Sequence, residues 1–444
     1  VKVLFLEIDT EREWAVASIG PAFLAAWVRP HGHRVEMLRV PPAMDAGELA
    51  AAVRRAAPDL LALSLTSRQW LRARRVVAEL RGEVDVPVIA GGLHPTFSPE
   101  LVLGSPGFDY VCLGEGEEAF LEALEELERE GRIEPGRVRN VQVRGGPRPE
   151  LRPPVEPLDA VPFLARDLLD EPPGVVHMAT QRGCPFPCTY CAARNFNQLY
   201  REVGSYGRRR SHRNVLAELA ELEAAGRLSY VVFLDDTFTI DRRWVEEFCD
   251  LYGDRCGRPF SLHARVETVD RELLERLAGA GCRHVTYGVE SGSYRIRREV
   301  MRRPVTNERI REVFRWTREA GILVTANYML GLPGESRDDL EATYALAEEL
   351  EVADFGYFVF YPYPGTQLFE LCRQRGYLPA EHEELPASHR RSILRLPDLG
   401  PGDVEELYQR FTRLRERLYR RLYPGAGEGT PEAVDHVRRC AAAG

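Results

Sequence analysis

No run of about 18 apolar residues occurs anywhere in the 444 residues of the chain, so nothing in it reads as a membrane-spanning helix. The first residues do not read as a secretory-leader pattern either. Val1-Lys2-Val3-Leu4-Phe5-Leu6 is short, apolar and soon followed by acids, as a first buried strand would be. Lysine is nearly absent: Lys2 stands alone beside many arginines, a bias of composition rather than a site. The nine cysteines are odd in number, and six lie singly at Cys112, Cys249, Cys256, Cys282, Cys372 and Cys440. That is not a disulfide framework, and it points to a reducing cytoplasm. Basic excess is lacking too. A net charge of -9 argues against a nucleic-acid partner, and the one basic run, Arg208-Arg209-Arg210, reads as a solvated loop.

The chain has the length for several domains and, at 44% hydrophobic residues, the material to fill their cores. Short apolar runs alternate with helical patterns from the start, which predicts a parallel sheet with crossover helices. Strands are expected at Val3 to Glu7, Arg34 to Arg39, Leu60 to Ser64, Val86 to Ala90 and Tyr110 to Leu113. Five strands over residues 1–135 make a doubly wound, Rossmann-like α/β domain with its ligand outside the carboxyl ends of the strands. Residues 136–173 carry eight prolines among charges and read as a linker. A second alternation over 174–385 places strands at Val175 to Thr180, Tyr230 to Leu234, Phe260 to Ala264, His284 to Gly288, Val324 to Leu330 and Tyr357 to Tyr361. Asp270 and the Ser336/Asp339 pair mark helix starts, and Ile310, Val313, Phe314 and Thr317 mark one helix face. Six βα units predict a partial (β/α)6 barrel of the TIM type, with functional loops at the carboxyl ends of its strands. Residues 386–444 read as a helical appendage over the barrel mouth.

The stretch Gly183-Cys184-Pro185-Phe186-Pro187-Cys188-Thr189-Tyr190-Cys191 follows the first barrel strand directly. Thiolates select zinc or iron–sulfur clusters, and a closed zinc site needs a fourth ligand at short spacing. The next histidine is His212. A cubane held by Cys184, Cys188 and Cys191 leaves its fourth iron open to a substrate or cofactor; zinc or a disulfide loop is the alternative.

This loop resembles that of radical S-adenosylmethionine (SAM) enzymes. The resemblance implies a 4Fe-4S cluster on the three cysteines, with SAM chelated by the open iron through its amino and carboxylate groups, and Tyr190 near the adenine. Further segments match the family at strand ends. Asp235-Asp236-Thr237 would offer acceptors to the SAM ammonium, although such a run also caps a helix. Arg265 would fork onto the SAM carboxylate, or form a salt bridge at the barrel end. Glu290 would take the ribose hydroxyls or the amino group, or stand as a surface acid. Gly331-Leu332-Pro333-Gly334-Glu335 and Tyr361-Pro362-Tyr363-Pro364-Gly365-Thr366 match the family's turns.

The first domain resembles cobalamin-binding domains. On that resemblance Ser64-Leu65-Thr66-Ser67, Gly91-Gly92-Leu93-His94-Pro95 and Gly114-Glu115-Gly116 line the cofactor, the glycines allowing close backbone approach and the Ser64, Thr66 and Ser67 hydroxyls bonding the nucleotide tail. The D-x-H-x-x-G motif that supplies a cobalt-ligating histidine is replaced by Asp9-Thr10-Glu11-Arg12-Glu13. His94 is expected at the corrin edge or capping a loop, with Arg68 or Trp70 approaching the lower cobalt face.

Together the resemblances imply a cobalamin-dependent radical SAM methyltransferase. It would move a methyl group from SAM, via methylcobalamin, to an unactivated carbon of a small-molecule substrate, drawing electrons from an external flavodoxin- or ferredoxin-type donor. The alternatives are a cobalamin-linked reaction without methyl transfer, like that of the anaerobic Mg-protoporphyrin ester cyclases, and a non-catalytic cobalamin or iron–sulfur sensor. The aromatics of the last barrel strand, Tyr357, Phe358, Phe360, Tyr361 and Tyr363, read as packed core.

Overall fold

Near-continuous apolar strands bounded by polar turns fold as sheets covered on both faces, and the computed structural model, which describes residues 1–9, 19–352 and 354–422, contains two of them. The first comprises β1 (Lys2–Ile8), β2 (Arg34–Val40), β3 (Leu60–Ser64), β4 (Val88–Gly91), β5 (Tyr110–Cys112) and β6 (Val141–Val143), in the order β2-β1-β3-β4-β5-β6. The first five are parallel. β6 pairs antiparallel with β5, Val111 opposite Gln142. It was not expected: three residues among charges and prolines carry no readable alternation, so the stretch 136–173 is not wholly linker.

Val3, Phe5, Ala62 and Ile89 face the helices Ile19–Val28 and Glu117–Glu130. Leu4, Leu6, Leu61 and Leu63 face Ala46–Ala56 and Ser67–Arg81. The strand order reverses around β1, which opens a crevice outside the carboxyl ends of β1 and β3.

The second sheet is all parallel: β7 (Val175–Met178), β10 (Tyr230–Phe233), β11 (Phe260–Ala264), β12 (Cys282–Glu290), β13 (Leu323–Leu330) and β14 (Phe355–Val359). Between β7 and β10 in sequence, β8 (Gln181–Arg182) and β9 (Arg208–Arg209) form a short antiparallel hairpin. The expected helix signals are realised. Asp270 accepts from Leu273 N at 2.9 Å, Ser336 and Asp339 form a capping box, and Ile310, Val313, Phe314 and Thr317 are buried.

Two expectations fail. The C-terminal helix Pro401–Leu422 does not cover the mouth; of the expected appendage only the non-helical segment before it reaches there, where His389 meets the Tyr363 hydroxyl at 2.6 Å. The helix buries Val404, Leu407, Phe411, Leu414 and Leu418 against the outer face of the barrel, with Phe411 beside Tyr328, Phe355 and Tyr357; its amphipathic stripe fills the helical layer behind β14. Residues 423–444, the rest of the expected appendage and the site of Cys440, lie outside the described residues, as does the segment 10–18. Nor is the Arg208-Arg209-Arg210 run solvated. Arg208 pairs with Glu115, Arg209 bonds Gln181 and the Phe238 carbonyl, and Arg210 pairs with Glu218, because the β8–β9 hairpin carries the run into the body of the molecule.

Candidate functional site

Strand β7 delivers the chain to Thr180, where Asp235 takes over. Its carboxylate accepts from Thr180 N at 2.9 Å, Thr180 Oγ1 at 3.1 Å and Gln181 N at 2.7 Å. Burial pushes its carboxyl up to about 6, against the nearby Arg209 and these hydrogen bonds. Asp235 thus fixes the start of the cysteine loop, which answers why two adjacent acids stand here: only Asp236 turns into the cysteine cavity. Gly183 has φ +80°, and a Cβ there would come within 2.9 Å of Tyr206. Further on, Thr189 N bonds the Met301 carbonyl at 3.3 Å, Thr189 Oγ1 the Val300 carbonyl at 2.7 Å, and Asn197 the Cys184 carbonyl at 2.8 Å.

So held, Cys184, Cys188 and Cys191 line one cavity of about 210 Å3 at the carboxyl ends of the barrel strands, together with Asp236, Arg265 and Glu290. All three are free thiols. Burial raises the Cys184 thiol and pushes the Cys191 thiol up to about 12, so these sulfurs ionise when a cation arrives. Among the described residues no three His, Cys, Asp or Glu side chains close on a single metal ion. A cubane has no such need, since each thiolate takes a different iron. Three thiols and no fourth protein ligand fit a cluster with one open iron.

Asp236 is exposed and lines both this cavity and a second one, and the surrounding protein raises its carboxyl by desolvation. Glu290 sits at φ +70° after an irregularity in the β12–β13 register. It receives the Tyr190 hydroxyl at 3.3 Å and Arg303 Nη1 at 3.5 Å, and burial raises its carboxyl despite these partners. It is no surface acid. Arg265 points at sulfur: its Nη1 lies 3.1 Å from Cys188 Sγ, and its guanidinium stacks 3.9 Å from the Phe186 ring centre.

Residues that sequence reasoning missed complete the wall. Arg303, Thr286 and Asn327 line the same cavity, and Glu267 stands behind it, bonded to Arg265 and Arg303. Asn327 was findable, because β13 alternates: Val324, Ala326, Tyr328 and Leu330 are buried against helices while Thr325, Asn327 and Met329 face inward. The last strand divides similarly. Tyr357 packs in the helical layer, but Phe358, Phe360, Tyr361 and Tyr363 line a further cavity of about 330 Å3 with Arg68, so that stretch is only partly core.

Between the two sheets lies a cavity of about 340 Å3, bounded on one side by Ser64, Gly91, Gly92, Gly114, Glu115 and Gly116, and on the other by Arg182 and Asp236. Ser64 and the glycines are where a cofactor tail would enter beside β3 and β4. Gly92 has φ +94°, and a Cβ would lie 2.8 Å from Leu65 N. Gly114 makes room for Tyr200, whose hydroxyl accepts from Glu115 N at 2.6 Å. Thr66, Ser67 and His94 are absent from that wall. Thr66 closes a capping box with Gln69. His94 takes Ser67 Oγ at 3.1 Å and stacks on Trp70 with ring centres 4.8 Å apart; its role here is to brace the loop. Trp70 is buried among Phe108 and the domain core, which removes it from any cobalt face.

The sequence model of the radical SAM superfamily matches residues 178–347, and that of the B12 binding domain matches residues 10–124. The chain is a cobalamin-binding radical SAM enzyme. Its cofactors are accordingly a 4Fe-4S cluster, SAM and cobalamin. An uncharacterized methyltransferase of Pyrococcus horikoshii is 29% identical over 369 residues, 79% of this chain and 77% of that one. The anaerobic magnesium-protoporphyrin IX monomethyl ester cyclase of Cereibacter sphaeroides is 27% identical over 74% of this chain and 55% of its own. Among solved structures, the radical SAM methyltransferase TsrM of Kitasatospora setae, with cobalamin and a [4Fe-4S] cluster bound, superposes with a TM-score of 0.67 at 19% identity, covering 94% of this chain and 85% of that one. At that identity the likeness is one of fold. Among the described residues, no helix of this radical SAM enzyme is long and apolar enough to cross a membrane.

Proposed function

We propose that the enzyme is a methyltransferase, moving a methyl group from SAM by way of cobalamin to an unactivated carbon of a small molecule. One observation carries this reading: three cavities share walls. The cysteine cavity and the cavity between the sheets meet at Asp236, while the cysteine cavity and the aromatic cavity meet at Tyr190, Glu290 and Asn327. Two cofactors and a substrate can therefore lie side by side with only these shared side chains between their cavities, as a relay of one carbon requires.

When bound, the cluster and SAM supply hydrogen abstraction, and cobalamin a transferable methyl group. The residues do the rest. Cys184, Cys188 and Cys191 hold iron; Asp236 and Glu290 accept from the SAM amino and hydroxyl groups; Tyr190 borders the adenine. Ser64, Gly91, Gly92, Gly114, Glu115 and Gly116 line the cobalamin tail, and Phe358, Phe360 and Tyr361 exclude water from the substrate. An external flavodoxin- or ferredoxin-type donor in the cytoplasm supplies the electrons.

The cyclase relative supports a second reading, radical oxidation without methyl transfer. Against it, an aromatic cavity of about 330 Å3 is at the small end of the roughly 300–1,000 Å3 of small-molecule sites, which suits a substrate smaller than a tetrapyrrole. The deciding experiment reconstitutes the protein anaerobically with cobalamin and supplies methyl-labelled SAM with a reductant. Label entering the corrinoid fraction supports methyl transfer. Production of 5'-deoxyadenosine with no label in the corrinoid favours the second reading.

A further inference from the structure

A ring of polar contacts runs around the cysteine cavity and begins and ends at the cysteine loop. Arg265 Nη1 meets Cys188 Sγ at 3.1 Å, and its other terminal nitrogen pairs with Glu267. Glu267 in turn receives Arg303 through Nε at 3.1 Å and Nη2 at 3.0 Å. The remaining Arg303 nitrogen reaches Glu290 at 3.5 Å, and Glu290 receives the hydroxyl of Tyr190, the neighbour of Cys191. Arg303 is 2% exposed and Arg265 9%, so neither swings freely. Arg265 uses one edge on sulfur and another on a carboxylate, with its face on Phe186. Only a planar guanidinium does all three at once.

We propose that Arg265 sets the reduction potential of the cluster through Cys188, and that Glu267, clamped by Arg303, is the positioning residue that keeps it on that sulfur. The inference rests on the reading that the cysteines hold the cluster. Reduction adds negative charge to the iron–sulfur unit. An N–H donor and a fixed positive charge on a ligand sulfur stabilise the reduced form more than the oxidised one, which raises the potential. Low local dielectric magnifies the effect in a buried site. Arg265 thereby acts on electron uptake rather than on SAM.

The test uses the full-length, anaerobically reconstituted protein and its Arg265→Gln, Arg265→Lys, Glu267→Gln and Glu267→Asp variants. Iron and sulfide per chain are measured first, then the reduced cluster by paramagnetic resonance across a potential titration, then SAM affinity by equilibrium dialysis. Arg265→Gln is expected to retain the cluster while the reduced-to-oxidised ratio at the wild-type midpoint falls about tenfold, a shift of about 59 mV for one electron, and Glu267→Gln to retain it with a smaller fall, because the same change that frees Arg265 also removes a negative charge opposing reduction. Arg265→Lys and Glu267→Asp should fall between these and wild type, and serve as the folded comparison if a glutamine variant does not assemble. Unchanged potentials in clustered variants overturn the proposal, as does a loss of SAM affinity with the potential intact, which would put Arg265 on the SAM carboxylate. Wild-type protein that takes up no iron would instead sink the cluster reading itself.

Discussion

Arg182, two positions before Cys184, reaches out of the barrel to pair with Glu117 in the first turn of a helix belonging to the other sheet. It also meets Glu115 at 3.0 Å, and Arg208 joins Glu115 from the neighbouring hairpin strand. The cysteine loop and the wall of the inter-sheet cavity are thus tied by charge at one buried point.

Removing Arg182 leaves two carboxylates buried. Arg182→Met is expected to lose roughly 3–5 kcal/mol of unfolding free energy, the usual cost of breaking a buried pair by one partner, read from urea titrations. Burial raises the Glu117 carboxyl, but the charge and hydrogen bond of Arg182, with Arg208 beyond, bring it below its ordinary value. A depressed carboxyl contributes stability above its unfolded pKa of about 4.5 and loses it as pH falls through the folded value. The wild type should therefore weaken on acidification below that point, and Arg182→Met should lack this component.

Gly92→Ala should harm the fold and the cobalamin cavity together. The backbone at φ +94° is strained for any L side chain, and the new methyl group would meet Leu65 N and O at 2.8 and 2.9 Å. A cost of about 1–3 kcal/mol follows from the strain alone. Weakened binding of hydroxocobalamin, followed by its visible absorbance in a spin-filter assay, should accompany a lowered melting temperature. Retention of both stability and affinity would count against Gly92 as a close-approach position.

What could be read in advance divides along physical lines. Cys184, Cys188 and Cys191 were legible because ligand spacing within one loop is local, and most strands because their apolar runs are. The Arg303–Glu267 contact spans 36 residues of sequence, and no local pattern announces it; Arg303 stands in a charged stretch that reads as surface. Trp70 was placed near cobalt from its position after β3, but helical phase turns it inward beneath His94. The Arg208 run was misread because a two-residue strand, too short for any periodicity, decides which way it faces.

His94 predicts a pH dependence of its own. Burial pushes its pKa down to about 4, so the folded protein holds it neutral while the unfolded chain protonates near 6.5. The unfolded state then binds more protons between those values, and stability falls as pH drops from about 6.5 toward 4, by roughly 3 kcal/mol in all. Comparing urea midpoints of wild type and His94→Gln across that range isolates the effect. Parallel curves would mean that His94 is not buried neutral.

Asp236 is the sharpest test of how SAM is held. Its neighbour Asp235 accepts two backbone N–H groups on one carboxylate oxygen and the Thr180 hydroxyl on the other, so the two acids should respond differently to the same change. Asp236→Asn keeps the shape and removes the charge that an ammonium group would meet; with hydrogen bonds to charged groups contributing about 1.5–3 kcal/mol, SAM affinity should fall at least about tenfold. Iron content should stay at the wild-type level, because Asp236 binds no iron on this reading. Asp235→Asn should instead weaken the hold on the Thr180 and Gln181 N–H groups, whose shared acceptor oxygen loses its charge, disturb the start of the cysteine loop and lower iron incorporation. Equilibrium dialysis of SAM and iron analysis on the two variants separate the roles. Equal losses of iron in both would place Asp236 among the scaffold rather than the ligands.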